Sequence, residues 1–561
     1  MSLHSPTTPQ SQFWAYADDI PGSRCGPEDG PWPRTYTPLD DAQAWKELSM
    51  LARPQSKVFS AEKGLRVDSV NFQPCPRART QDRYAVKELD VYGRKWSLTG
   101  VFDGHLGETT VDHVQYHLPR IVSEFLHAAF KDDPMMPITP SFISDLLSRS
   151  IIAFDDAIAG DVLSLFPGGL EGLSKMTDQE ISAIINDQHT GGSNYKKARL
   201  CMYGTTALVV LVDPDHQNMW VANVGDCQAL IVSPDPGGSG EGDSNWRVEL
   251  LTRDHNGDND AEVTRVRREH PGEPDCVTDG RVLGALAPFR SLGDVPFKQP
   301  PEFSRRILYN LLPGFHDTSP WEEFLVKNLT PPYISAIPDI IHRSLPIKAP
   351  PPASSRPSMS HESSALCLPI FSSLFTGLFK GSAGRNSASR DSDTNRPAAP
   401  PPTPNEEQKI LEEDPSSESK RSSSYLIIAS DGFADLCYKK GQTHHLLNWA
   451  KGLSKIGSNH PSPIANGGSS LRNRPSDVMS VNSTSEKVPG SPTSSVASRS
   501  FSVSSRRSTT LDDGPRGKGN LALRLLREVL GGDDSTKLSQ VLTLDMNESW
   551  IDDTTITVQT L

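Results

Sequence analysis

Four short segments place an aspartate beside an apolar run and next to glycine or a second aspartate. They are Val101-Phe102-Asp103-Gly104-His105, Val224-Gly225-Asp226, Ile428-Ala429-Ser430-Asp431-Gly432 and Ile551-Asp552-Asp553. Read as strands, the apolar runs carry each carboxylate to a strand end, where it escapes the cost of a charge buried inside a sheet. Carboxylates that converge in one cleft repel each other unless a cation stands between them, and hard oxygen ligands select Mg²⁺ or Mn²⁺. Two such ions close together can activate water and neutralise the oxygens of a phosphoryl group. Asp-Gly after a strand is also ordinary turn chemistry. Spacing alone leaves the turn and ligand readings open.

The elements that must position these carboxylates follow from periodicity. Strand patterns start near Tyr84 and continue at 96–101, 206–212, 219–223, 228–232, 247–252, 425–430 and 555–560. Apolar residues at three- and four-residue spacing predict long helices over 113–130 and 141–159, the second through Phe142, Leu146, Ile151, Phe154 and Ile158. Shorter helices are predicted at 261–270, stopped by Pro271-Gly272, and at 520–530, stopped by Gly531-Gly532. Residues 1–54 read as a mixed, turn-rich extension. A strand at the end of the chain makes 55–561 one interrupted domain, not two.

Composition fits that organisation. Hydrophobic residues are 35% of the 561, and there are 47 prolines, so a packed core with long polar segments is expected. Residues from about 349 to 424 and from about 457 to 518 are rich in Ser, Pro, Arg and Asn and read as disordered insertions. The net charge of −13 argues against nucleic acid as the main partner. Seven dispersed cysteines without a CxxC pair suggest neither a disulfide framework nor a zinc cluster, and so a reducing compartment. The N-terminal residues lack the layout of a secretory signal and make a poor mitochondrial presequence. The longest apolar run, 366–379, is too short to span a membrane and is broken by Pro369. The run 498–510, SRSFSVSSRRSTT, sets basic residues beside serines as a candidate phosphorylation segment, which generic disorder explains equally well.

Taken together, the motifs resemble the type 2C metal-dependent protein serine/threonine phosphatase family. They stand in the family's order: Gln81-Asp82-Arg83, Asp103-Gly104-His105, Tyr203-Gly204-Thr205-Thr206-Ala207, Asn223-Val224-Gly225-Asp226, Ser291-Leu292-Gly293-Asp294, Ser430-Asp431-Gly432-Phe433-Ala434-Asp435 and Asp552-Asp553-Thr554-Thr555. They extend over about 67–298 and 425–561. Within the family, RREHPGEP (267–274), RVLGALAPFRSLGDVPFK (281–298) and PPYISAIPDI (331–340) look most like the pyruvate dehydrogenase phosphatase branch.

The resemblance implies an α+β fold, a four-layer α-β-β-α sandwich of two antiparallel sheets with a dinuclear metal site between them. It implies that Asp103 bridges two Mg²⁺ or Mn²⁺ ions, that the Gly104 carbonyl ligates the second, and that Asp431 and Asp552 hold the first. Asp226 and Asp435, with Asp431, suit the looser third ion of some members. Asp82 holds metal-bound water, Arg77 (or its neighbour Arg79) binds the substrate phosphate, and His105 is the acid that protonates the departing Ser or Thr oxygen. The implied reaction is hydrolysis of protein phosphoserine or phosphothreonine by metal-activated water, with a phosphorylated dehydrogenase subunit as the substrate suggested by the branch. Asp294 reads as structural, His255 and Asn256 as loop-stabilising, and Cys227 and Cys437 as small buried residues. Gln81 departs from the Glu of many members and predicts weaker hold on the second metal. Rival readings are a catalytically weak or inactive phosphatase-fold binding protein and a different metallohydrolase. Cytoplasm and mitochondrial matrix stand level as locations.

Overall fold

The computed structural model describes residues 12–30, 32–60, 65–235, 246–313, 321–345, 423–457 and 518–561. The two expected insertions (but for edge residues), the run 366–379 and the run 498–510 lie outside the described residues. Eleven strands build the two main sheets: β1 (Gln55–Ser60), β2 (Leu65–Phe72), β3 (Arg83–Val91), β4 (Arg94–Phe102), β5 (Ala207–Val212), β6 (Asn218–Val224), β7 (Gln228–Pro234), β8 (Trp246–Leu250), β9 (Asp339–Ser344), β10 (Tyr425–Ala429) and β11 (Thr554–Thr560). One sheet has the order β9-β6-β5-β4-β3 and the other β8-β7-β10-β11-β2-β1, every neighbour antiparallel. The last strand, β11, lies between β10 and β2, with Ile556 opposite both Ala429 and Val70.

Side-chain alternation explains why β5 is apolar throughout. Ala207, Val209 and Leu211 pack with the helices Thr109–Ala129 and Pro140–Leu163, while Leu208, Val210 and Val212 join a cluster with Ala229, Leu426 and Ile428 of the other sheet. Successive residues of a strand face opposite sides, so a strand covered on both faces needs no polar positions. The six-stranded sheet buries Val70, Leu230, Ile427 and Val558 against the helices Asp41–Ala52, Gln442–Gly457, Leu521–Leu530 and Ser535–Thr543. In Leu521–Leu530 the residues Leu523, Leu525, Leu526 and Leu530 are buried, each worth about 1.5–3 kcal/mol of apolar transfer. Asn520 caps that helix by accepting the Leu523 N–H at 2.8 Å. Among the described residues no helix is long and apolar enough to cross a membrane.

Three sequence expectations need correction. The region 12–54 is more than turns: Asp41–Ala52 is a helix with Ala44, Leu48 and Ala52 buried, entered through an Asp40–Gln43 capping box. Strands β1 and β2 precede the first strand read near Tyr84. Asp68 and Ser69 disguise β2, yet both are buried, and Asp68 accepts Arg66 Nε–H and Leu521 N–H, each at 2.7 Å. Finally, not every candidate ligand follows a strand. Asp431 does follow β10 and opens the helix Asp431–Cys437, but Asp552 and Asp553 come just before β11.

Candidate metal centre

Each carboxylate reaches the cleft by local chemistry. Asp103 follows β4, and its backbone is locked by the facing Thr205-Thr206: Asp103 N–H donates to Thr206 Oγ1 at 3.1 Å, and Asp103 O accepts Thr206 N–H at 2.8 Å and Thr205 Oγ1–H at 2.9 Å. Asp226 sits in the turn from β6 to β7, made possible by Gly225 at φ +120, where a Cβ would also strike Thr206 Cβ at 2.5 Å. Gly225 N–H donates to His255 Nδ1 at 3.1 Å, so the His255 proton is on Nε2 and bonds Asp339 at 3.1 Å. Asn256 Nδ2–H adds a 3.3 Å bond to Asp226. His255 and Asn256 thus brace the Asp226 turn.

Asp103, Asp226 and Asp431 bring one oxygen each within 4.8 Å of one another, the group among the described residues able to hold a metal ion. Beside them lies Asp82, 1% exposed, which accepts the Ser430 hydroxyl at 2.6 Å. Its Oδ1 and the Gln81 Oε1 are buried without a hydrogen-bond partner. Asp553 anchors the same corner by accepting Gln81 N–H at 2.6 Å and Gln73 Nε2–H at 2.9 Å. Buried oxygens, several ionisable and two unpartnered, form a donor set that fits hard divalent cations.

The other expected ligands are less closely gathered. Gly104 is buried, and a Cβ there would meet Gln81 O and Val111 Cβ at 2.8 Å. Asp435 is exposed one helical turn beyond Asp431. Asp552 stands outside the three-carboxylate group and pairs with Arg24, a residue the sequence reading passed over. Arg77 and Arg79 are exposed on the turn before Gln81 and form no ion pair with any described residue.

His105 is partly buried and pairs with Asp294. Its Nε2–H donates to both Asp294 oxygens at 2.9 Å, and Asp294 also accepts the Ser291 hydroxyl. Burial pushes the His105 imidazole down, but the Asp294 carboxylate outweighs it and the net shift is upward. Asp294 is held in turn: Asp155 accepts Gly293 N–H at 2.8 Å and pairs with Lys298 at 2.7 Å. Sequence reasoning left Asp294 as a structural residue; its Gly-Asp spacing gave no sign of the histidine 189 positions away. Cys227 and Cys437 are buried, and burial raises both thiols, Cys437 to about 12, which leaves no thiolate for nucleophilic attack.

Gly204 faces the Asp294 carboxylate so closely that a Cβ would lie 2.0 Å from Oδ2. Because Asp294 is fixed by His105 and Ser291, Gly204→Ala is expected to cost about 1–3 kcal/mol in a urea melt and to disturb the His105 pairing. An unchanged melt would show that the carboxylate moves freely.

Without a cation, burial and mutual repulsion push the carboxyls of Asp82, Asp103 and Asp226 upward. Burial raises Asp82 to about 7 against the pull of Ser430, with Asp553 and Asp431 adding to the rise. Burial, then Asp431, takes Asp226 to about 7, and Asp103 is raised well above the usual range by burial and by Asp431, Asp82 and Asp226. An acid raised on folding makes the folded state bind more protons than the unfolded one, so stability falls as pH climbs from about 4 towards 7. In EDTA the Tm is therefore expected to drop between about pH 5 and about pH 8, and Mn²⁺ at the upper pH to restore it. A Tm that rises across this window in EDTA would contradict the mutual repulsion.

Residues 168–347 match the family model Protein phosphatase 2C. That stretch is similar to type 2C protein phosphatases. It includes Asp226 and Asp294, whereas Asp82, Asp103, His105, Asp431 and Asp552 lie outside the matched type 2C stretch and rest on the motifs and geometry above. The mitochondrial pyruvate dehydrogenase (acetyl-transferring) phosphatase 1 of Bos taurus is 35% identical over 176 residues, 30% of this chain and 31% of that protein. Its namesake in Saccharomyces cerevisiae is 30% identical over 206 residues, 36% of this chain and 31% of that protein. A protein phosphatase 2C homolog of Schizosaccharomyces pombe is 27% identical over 264 residues, 46% and 51% of the respective chains. The similarity thus spans about a third of the length of the two pyruvate dehydrogenase phosphatases and about half of the protein phosphatase 2C homolog.

Proposed function

We propose that the chain hydrolyses phosphoserine and phosphothreonine in protein substrates with the help of Mg²⁺ or Mn²⁺, two ions and a looser third. The observation that carries this reading is the convergence of Asp103, Asp226 and Asp431 within 4.8 Å. The reading includes a four-layer α-β-β-α sandwich, supported by three apolar clusters, one shared by the two sheets and one on the helical side of each. Asp103, the Gly104 carbonyl, Asp431 and Asp552 would hold the pair of ions, and Asp226 and Asp435, with Asp431, the third. When bound, the ions lower the pKa of water and offset charge on the phosphoryl oxygens.

The chain's own groups do the rest. Asp82, with one oxygen tied to Ser430 and the other unpartnered, orients a water by hydrogen bonding. Arg77 offers a guanidinium for the substrate phosphate. His105 keeps Nε2–H on Asp294, which leaves Nδ1 to carry the proton given to the departing Ser or Thr oxygen. Cys227 and Cys437 take no part, and attack by metal-activated water needs no covalent phosphoenzyme.

The names of the relatives, mitochondrial pyruvate dehydrogenase phosphatases, support phosphorylated pyruvate dehydrogenase as substrate and the mitochondrion as location. Gln81 favours the second reading, a weak or inactive binding protein, because an amide supplies no charge to a cation. Phosphate release from a phosphothreonine peptide, measured with Mn²⁺ and with EDTA, separates them: metal-dependent release supports the enzyme, and none with any divalent ion leaves the binding protein.

A further inference from the structure

The segment 12–30 is built into the wall of the site. Ala15, Ile20 and Cys25 are buried in the same apolar cluster as Phe433, Leu436, Trp550 and Ile551. Arg24 N–H donates to Trp550 O at 2.9 Å, and Cys25 Sγ–H points to Ser549 O. Gly22, at φ +59, lies so close to Asp435 that a Cβ would be 2.8 Å from its backbone carbon and oxygen. Lys439 Nζ donates to Asp18 O. Arg24 is therefore held at the backbone on both sides, not hung on a loose arm.

Its guanidinium pairs with Asp552 through Nη2, and the side chain is 54% exposed. It opens on a cleft of 330 Å³ shared with Asp435, Tyr438 and Lys439. Five N–H donors sit on a guanidinium, and one carboxylate leaves most of them unused. An arginine aimed by a carboxylate at the rim of an acidic centre is preorganised for a second, tetrahedral anion. Arg77, by contrast, has no described group to aim it.

We propose that Arg24 is a phosphate-binding residue: oriented by Asp552, it takes phosphoryl oxygens of the substrate on its remaining N–H donors. This deepens the phosphatase reading and rests on it for the identity of the substrate. Because one carboxylate cannot engage all five guanidinium N–H donors, the role needs no break of the ion pair.

The test uses the full chain loaded with Mn²⁺ and inorganic phosphate as the probe. Calorimetry of wild type, Arg24→Ala, Arg24→Lys and Arg77→Ala gives phosphate affinity, and separate titrations give the Mn²⁺ affinity of each. Arg24→Ala is expected to weaken phosphate binding about 10- to 100-fold, with Arg24→Lys in between because a point charge replaces a planar fork. Mn²⁺ affinity is expected to stay within about threefold. On a phosphothreonine peptide the loss appears mainly as a raised KM. Unchanged phosphate binding in Arg24→Ala overturns the proposal, as does a wild type that binds no phosphate. A tenfold change in Mn²⁺ affinity with phosphate binding intact also overturns it and makes Arg24 a regulator of the metal. If wild type binds phosphate through Arg24 but releases none from the peptide, the phosphatase reading fails and the anion site stands. Peptide hydrolysis untouched by Arg24→Ala means the reverse.

Discussion

Asp431→Asn is expected to lower metal-supported phosphate release from a phosphothreonine peptide by about 100-fold or more, the scale on which losing a charge-stabilising group slows an enzyme. Asp431 is the member of the acidic group whose charge bears on most of the others. It belongs to the trio with Asp103 and Asp226, and its charge raises the carboxyls of Asp82, Asp103, Asp226 and Asp435. The amide keeps the shape and removes the charge, so the capacity to hold a cation falls while repulsion eases. The metal-free variant should therefore melt higher than wild type in EDTA at about pH 8, where wild-type repulsion is greatest. Loss of activity together with a gain in Tm cannot be mistaken for misfolding. Loss of both would instead make Asp431 a structural residue.

Replacing His105 by Ala is expected to slow release from the phosphothreonine peptide by about 10²- to 10⁴-fold, the usual worth of a positioned proton donor. On p-nitrophenyl phosphate the same variant should retain most of its rate, because nitrophenolate departs without a proton. Asp294→Asn should move in the same direction on the peptide, since an amide neither stabilises the imidazolium nor fixes the proton on Nε2 as the two 2.9 Å contacts do. Parallel kcat measurements on the two substrates decide the matter. An equal loss on both would mean that His105 holds the site's shape and gives no proton.

Much of this site was legible before any coordinates. Asp103, Asp226 and Asp431 were readable because each closes or follows an apolar run beside glycine, and the structure brings these three together. The strands β4 to β7 and the two long helices were readable from period alone, because residues that alternate between two apolar clusters leave an unbroken pattern. What escaped did so for physical reasons. The β2 strand hides a buried Asp68 whose partners, apart from nearby Arg66, come from a helix 453 positions on. Asp40 and Gln43 did signal the start of the Asp41–Ala52 helix, but the prolines around them drew the eye to turns. The Asp294–His105 pair and the Arg24–Asp552 pair join residues far apart in the chain, and neither has a local pattern.

The most direct measurement is a Mn²⁺ titration of the metal-free full chain, with calorimetry and phosphate release from a phosphothreonine peptide read on the same samples. Binding of at least two ions per chain is expected to coincide with the onset of hydrolysis, and both are expected to fail in Asp431→Asn. Hydrolysis that persists in excess EDTA, or Mn²⁺ binding no tighter in wild type than in Asp431→Asn, would contradict a metal centre built on Asp103, Asp226 and Asp431.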